Sequence, residues 1–295
     1  MNFRKQKEIS GHAGAIYACT CSEGLVYTGS TDKHVARWLI EEGIQDKFAI
    51  KFEQSVYALE IIENNFLIIG LSNGDLHVVD LEKGEEVHYF TQHKKAIFSI
   101  TWNKLANQMM VGDADGNLSI WNAETFKLLI YLPLEVGKIR DVALSHDGQQ
   151  FALACQDGTI RIFESAHFNE LKTLNGHKDG TTSVIFHPLN PNQLISGGKD
   201  ALLKLWDLEK EEVLKEIPAH NYAIYSIISL NEGKNFATSS RDKTIKTWTS
   251  DLEFIERLDL KVGGHKHSVN KLRKLDEETF VSVSDDKRVI VWAKD

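Results

Sequence analysis

Apolar residues fall in short blocks along this chain. Gly, Asn, Asp and Lys bound the blocks, and no stretch sustains a helical period. That patterning predicts strands joined by tight turns from end to end. The segment Leu194 to Asp207 shows the unit: an apolar strand, a turn at Asp200, and a second strand ending in Trp206-Asp207. Related segments are Tyr27 to Trp38, Leu67 to Asp80, Met109 to Trp121, Leu153 to Phe163, Phe236 to Trp248 and Phe280 to Trp292. In every copy a turn residue stands six positions before the closing one: Asp32, Asn73, Asp115, Asp157, Asp200, Asp242 and Asp286.

The closing residues are Trp38, Val79, Trp121, Phe163, Trp206, Trp248 and Trp292, spaced 41 to 44 residues apart. Gly-His pairs open three copies (Gly11-His12, Gly176-His177, Gly264-His265), with Gln92-His93 and Ala219-His220 as variants. A period of about 40–45 residues with Gly-His near the start and Trp-Asp near the end resembles the WD40 repeat, one propeller blade of four strands. The resemblance covers essentially the whole chain. It implies an all-β, seven-bladed propeller of four-stranded antiparallel blades, with 1–295 as a single domain. Blades are expected to close near residues 38, 79, 121, 163, 206, 248 and 292.

An apolar residue lies three places before each histidine position: Phe90, Leu174, Ile217 and Val262, with Ile9 in the same relation to His12. Residues 1–10 are therefore expected to supply the outer strand of blade seven, pairing an open edge and closing the ring.

The resemblance also implies internal hydrogen-bond networks linking a Ser or Thr, the histidine, the turn Asp and the indole, because a buried indole and a buried imidazole both need partners. Four blades have the full set. They are Thr28, His12, Asp32 and Trp38; Ser196, His177, Asp200 and Trp206; Thr238, His220, Asp242 and Trp248; and Ser282, His265, Asp286 and Trp292. Blade three keeps His93, Asp115 and Trp121 but has Val111 at the hydroxyl position. Blade two has Ile69 and Val79, blade four has Leu153 and Phe163, and neither has the histidine. Blades two to four are therefore expected to rely on apolar packing and to open more readily.

Composition narrows the function classes. The net charge of -8 argues against nonspecific nucleic-acid binding, which needs a concentrated basic face. The start, Met-Asn-Phe-Arg-Lys-Gln-Lys-Glu, lacks a signal-peptide core, and apolar runs such as Phe66 to Ile69 are too short to cross a bilayer. Cys19, Cys21 and Cys155 form no disulfide framework. A cytoplasmic protein, monomeric on its own and without membrane or nucleic-acid partners, is the simplest expectation.

Catalytic signatures are absent: there is no Gly-x-Ser-x-Gly, phosphate loop or His-Glu-x-x-His. His265-Lys266-His267 alternates like a two-ligand strand, but His265 already has a repeat role. Asp113-Ala-Asp115-Gly-Asn117, with Glu124 at the twelfth position, resembles a calcium loop. A blade turn at Asp115 accounts for it better. No metal, cofactor or enzyme activity is expected.

Five residues after each histidine position lies a residue on the innermost strand: Tyr17, Tyr57, Phe98, Arg140, Thr182, Tyr225 and Asn270. The residues before the turn Asp or Asn include Lys199, Arg241 and Asp285. In the family these positions resemble a ring around the channel mouth, where peptides often bind. Tyr17, Tyr57, Phe98, Arg140, Tyr225, Lys199 and Arg241 are thus the candidate partner-binding rim, since aromatics and Arg dominate binding hot spots. Such a rim offers aromatic walls for a cationic side chain and Arg140 and Arg241 for a carboxylate. The function implied is a non-catalytic platform for a peptide or protein loop. The alternatives are a scaffold subunit binding through side or bottom faces and, more remotely, a propeller enzyme with its site in the channel.

Overall fold

The structure is a computed structural model that describes residues 2–295; Met1, the first residue of the expected 1–10 segment, lies outside them. Among the described residues there are 28 strands, a 3-10 turn at Leu260–Val262, and no α-helix. The strands form seven four-stranded antiparallel sheets, which are the blades of a closed ring. Six blades are sequential: 16–51, 56–90, 97–133, 139–175, 181–218 and 224–258. In each, the first strand is innermost and the fourth outermost.

Blade seven takes its three inner strands from 269–294 and its outer strand from Phe3–Ser10, at the other end of the chain. Ile9 pairs with Val289 and Phe3 with Lys294. Phe3 and Ile9 are buried, whereas Arg4, Lys5, Gln6 and Glu8 are exposed. Two apolar side chains therefore anchor the closing strand on an otherwise polar segment.

The inner strands open with a buried, mostly β-branched aliphatic residue: Ile16, Val56, Ile97, Ile139, Ile224 and Val269, with Thr181 in blade five. These residues wedge against the second strand of the preceding blade, and the fit leaves little room there. A Cβ on Gly29 would lie 2.3 Å from Val56 Cγ1, and one on Gly70 would lie 2.6 Å from Ile97 Cγ2. Glycine at those points is what lets neighbouring blades approach.

Immediately after the wedge, all seven inner strands slip register by one residue. The bulges lie between Ile16 and Ala18, Val56 and Ala58, Ile97 and Ser99, Ile139 and Asp141, Thr181 and Ser183, Ile224 and Ser226, and Val269 and Lys271. Each bulge leaves one residue out of the ladder, and bulges of this kind re-aim a side chain.

Candidate functional site at the channel mouth

The seven residues skipped by the bulges are Tyr17, Tyr57, Phe98, Arg140, Thr182, Tyr225 and Asn270. All seven line one cavity of about 470 Å³, together with Lys199, Arg241, Lys271, Asp285, Tyr222 and Ala223. Every candidate rim residue therefore lies in the same place. Tyr222, Ala223 and Lys271 are additions that spacing from the histidine did not pick out. Tyr222 projects from the loop before the blade-six inner strand, with the Arg241 guanidinium 5.9 Å from its ring centre.

The aromatic residues form a run across blades one to three. Tyr17 meets Tyr57 edge-on at 5.2 Å, and Tyr57 stacks on Phe98 at 5.5 Å with the planes 9° apart. The Arg140 guanidinium then lies 4.5 Å from the Phe98 ring centre, with Lys138 Nζ at 5.5 Å. Phe98 thus already serves two cations of its own chain. Burial pulls Arg140 below the usual guanidinium value, yet a guanidinium remains cationic at neutral pH. Burial raises the Tyr225 phenol, as it does that of Tyr17, where the nearby Asp285 adds to the effect.

The polar half is more tightly bonded. Asn270 donates to Ile16 O and to Asp285 Oδ1, both at 2.8 Å, tying blade seven to blade one. The Thr182 hydroxyl lies 2.9 Å from Gly197 O. Below the mouth, two ion pairs cross the channel from the blade-seven inner strand. Lys271 reaches Asp141 of blade four at 3.5 Å, and Arg273 pairs with Glu60 of blade two. The Glu60 carboxylate holds Arg273 above its ordinary value. Ser183 also donates to Asp141 at 2.7 Å. The cavity is a cup braced by these contacts.

The internal networks explain how the blades hold this cup. In blade one, Trp38 Nε1–H donates to Thr28 Oγ1 (2.6 Å), which is 2.7 Å from His12 Nε2, while His12 Nδ1 is 2.8 Å from Asp32. Because the hydroxyl oxygen accepts from the indole, its proton goes to Nε2, and the Nδ1–H donates to the carboxylate. The same relay runs through Trp206, Ser196, His177 and Asp200, through Trp248, Thr238, His220 and Asp242, and through Trp292, Ser282, His265 and Asp286.

Blade three corrects the expectation that it lacks this network. His93 Nδ1 donates to Asp113 (2.8 Å) rather than to Asp115, and the hydroxyl comes from Ser119, 2.7 Å from Nε2 and 2.8 Å from Trp121 Nε1. Ser119 is the cross-strand partner of Val111, so the hydroxyl has moved sideways by one strand. Asp113 also accepts from the backbone N–H groups of Asp115 and Asn117 and from Asn117 Nδ2. The first acid of the calcium-like run is thereby engaged within the blade. Among the described residues, no group of three or more His, Cys, Asp or Glu side chains is arranged to hold a metal ion.

A family profile described as "WD domain, G-beta repeat" matches residues 133–164, 168–207 and 211–249. The chain is a seven-bladed propeller that carries WD40 repeats over these residues. A second profile, "LRRK2 beta propeller", matches residues 26–143 of this propeller. Among curated proteins, the propeller is 22% identical over 286 residues to eukaryotic translation initiation factor 3 subunit I of Culex quinquefasciatus, covering 87% of each chain. It is 25% identical to WD repeat-containing protein 1 of Xenopus tropicalis, over 83% of this chain and 48% of that protein. It is 23% identical to protein tipD of Dictyostelium discoideum, over 98% of this chain and 48% of that one. No helix among the described residues is long and apolar enough to cross a membrane.

Proposed function

We propose that the chain acts as one propeller unit, a non-catalytic interaction platform that takes a peptide or a protein loop into the channel mouth. The observation that carries this reading is the convergence of all seven bulge residues on one open cup. A bulge that served only the ladder would not need an aromatic or charged side chain, yet five of the seven positions carry Tyr, Phe or Arg. Residues of these types bury large area at low entropic cost.

Two further points support a binding role over catalysis. The channel carboxylates Asp141 and Glu60 are engaged with Lys271 and Arg273. The relay histidines are buried within blades, away from the cup lining. The scaffold reading has one observation in its favour, the similarity to a protein named as a subunit of an initiation factor. A cytoplasmic setting belongs to the same proposal and is consistent with three free cysteines.

The test is capture of partners from native lysate by wild type and by a Tyr57→Ala/Tyr225→Ala variant of verified fold. Loss of a captured partner in the variant supports the mouth. Equal capture moves the interaction to the side or bottom faces.

A further inference from the structure

We infer that the mouth recognises a peptide oxyanion, a carboxylate side chain or a phosphomonoester, flanked by an aromatic or aliphatic residue. This deepens the platform reading and rests on it. The chain as a whole carries a charge of -8, yet the cup is lined by Arg140, Lys199, Arg241 and Lys271 against Asp285 alone. The charge of the cavity is therefore opposite in sign to that of the molecule.

The four cations are not equally available. Lys271 faces Asp141 across the channel. Arg140, Lys199 and Arg241 have no ion pair among the described residues, and the buried Arg140 Nε has no hydrogen-bond partner. Lys199 and Arg241 precede the turn aspartates of adjacent blades five and six, and both are exposed. Three unpaired cations in a half-enclosed space concentrate a positive field, and a charge-assisted hydrogen bond to an oxyanion is the interaction they lack.

The aromatic half decides between an anionic and a cationic guest. An incoming Lys or Arg needs a free aromatic face, but Phe98 is occupied by Arg140 and Lys138. The guest would also meet three like charges. The Tyr17–Tyr57 edge is left for an apolar neighbour of the anion. A nucleic acid is a poor match, because the basic groups sit in one cup of about 470 Å³ rather than along a surface track.

The experiment uses the full chain and capped, fluorescent peptides in a Gly/Ser background, with a central Phe-Glu, Phe-phosphoserine, Phe-Gln or Phe-Lys. Anisotropy should show binding of the Glu or the phosphoserine peptide, with Gln weaker by about tenfold or more and Lys weaker still. Raising salt from about 0.1 M to about 1 M, which shortens the Debye length from about 10 Å to about 3 Å, should weaken binding. Lys199→Ala/Arg241→Ala should lose about tenfold or more at an unchanged melting temperature, since both side chains are exposed.

A phosphoserine peptide that outcompetes Glu assigns the phosphomonoester, and the reverse order assigns the carboxylate. Equal binding of Gln and Glu, a preference for Lys, or no binding by any peptide overturns the inference. Lysate capture separates the two levels. A partner lost with Tyr57→Ala/Tyr225→Ala but kept by Lys199→Ala/Arg241→Ala leaves the platform standing and removes the oxyanion. A partner kept by both removes the mouth itself.

Discussion

Blades three and four stand side by side, follow the same four-strand path, and fill the same internal position with opposite chemistry. Blade three places His93, Ser119, Asp113 and Trp121 in a closed chain of hydrogen bonds, with His93 and Asp113 buried. Blade four has Leu153, Val136 and Phe163 there, with Phe151 stacked on Phe163 at 5.2 Å and 5°. Both solutions keep the wall tight, but they fail differently. An apolar wall loses stability in proportion to the volume removed. A polar relay loses it abruptly, because removing one member strands buried donors that water cannot reach.

The largest test of that difference is acid. Burial, the largest single influence, would raise the carboxyls of Asp32, Asp113, Asp200, Asp242 and Asp286, but hydrogen bonds and charge from their histidines together with the other nearby donors outweigh it and hold all five below the ordinary range. A depressed carboxyl contributes stability that is present above the unfolded value, about 3.9, and lost as pH falls through the folded one. Burial also holds His12 and His220 low, with their Asp partners opposing. The unfolded chain therefore binds more protons from these two residues below about pH 6.5. Stability should start to fall below about pH 6.5 and fall steeply below about pH 4. Hydrogen exchange on acidification should show relay blades opening before blades two and four. Uniform loss around the ring would erase the distinction.

Asp113→Ala comes next. It strands the His93 Nδ1–H and removes the acceptor for three further donors of Asp115 and Asn117, and should cost about 3 kcal/mol in denaturant unfolding. Asp115→Ala, at an exposed side chain, should stay within about 0.5 kcal/mol. If the two variants cost the same, Asp115 holds the blade after all. Ser119→Ala should cost about 2 kcal/mol, since Trp121 and His93 share that one oxygen.

A smaller test transplants the relay's logic. Phe163→Trp places an indole where no hydroxyl waits and should cost about 1–2 kcal/mol. Adding Leu153→Ser, at the position that holds Thr28 in blade one, should recover part of the indole's cost in a double-mutant cycle. Strict additivity would mean that blade four cannot seat the pair.

How much of this was legible beforehand differs between the blades for a physical reason. Constant spacing located the four complete relays, because Ser or Thr, Asp and Trp all lie on one hairpin. In blade three the oxygen moved across the ladder from Val111 to Ser119 and the acid moved from Asp115 to Asp113. A rule tied to one strand misses that exchange, although a Ser two residues before Trp121 was the available signal. Spacing also found the residues that gather at the mouth, since each bulge occurs at the same step of the repeat. The crossing pairs Lys271–Asp141 and Arg273–Glu60 were invisible. They join residues 130 and 213 positions apart, and no period relates them.

The strand exchange between the chain ends has a consequence in time. Ile9 and Val289 are 280 residues apart, so during synthesis at about 5–20 residues per second the first strand waits roughly 14 to 56 s for its partner. Through that interval it is an unpaired edge, the kind of segment that recruits other nascent chains. Its composition suits the delay: Arg4, Lys5, Gln6, Lys7 and Glu8 keep it hydrated, and only Phe3 and Ile9 ask for cover. The latch of the ring is therefore built to idle safely on the ribosome until the last blade emerges.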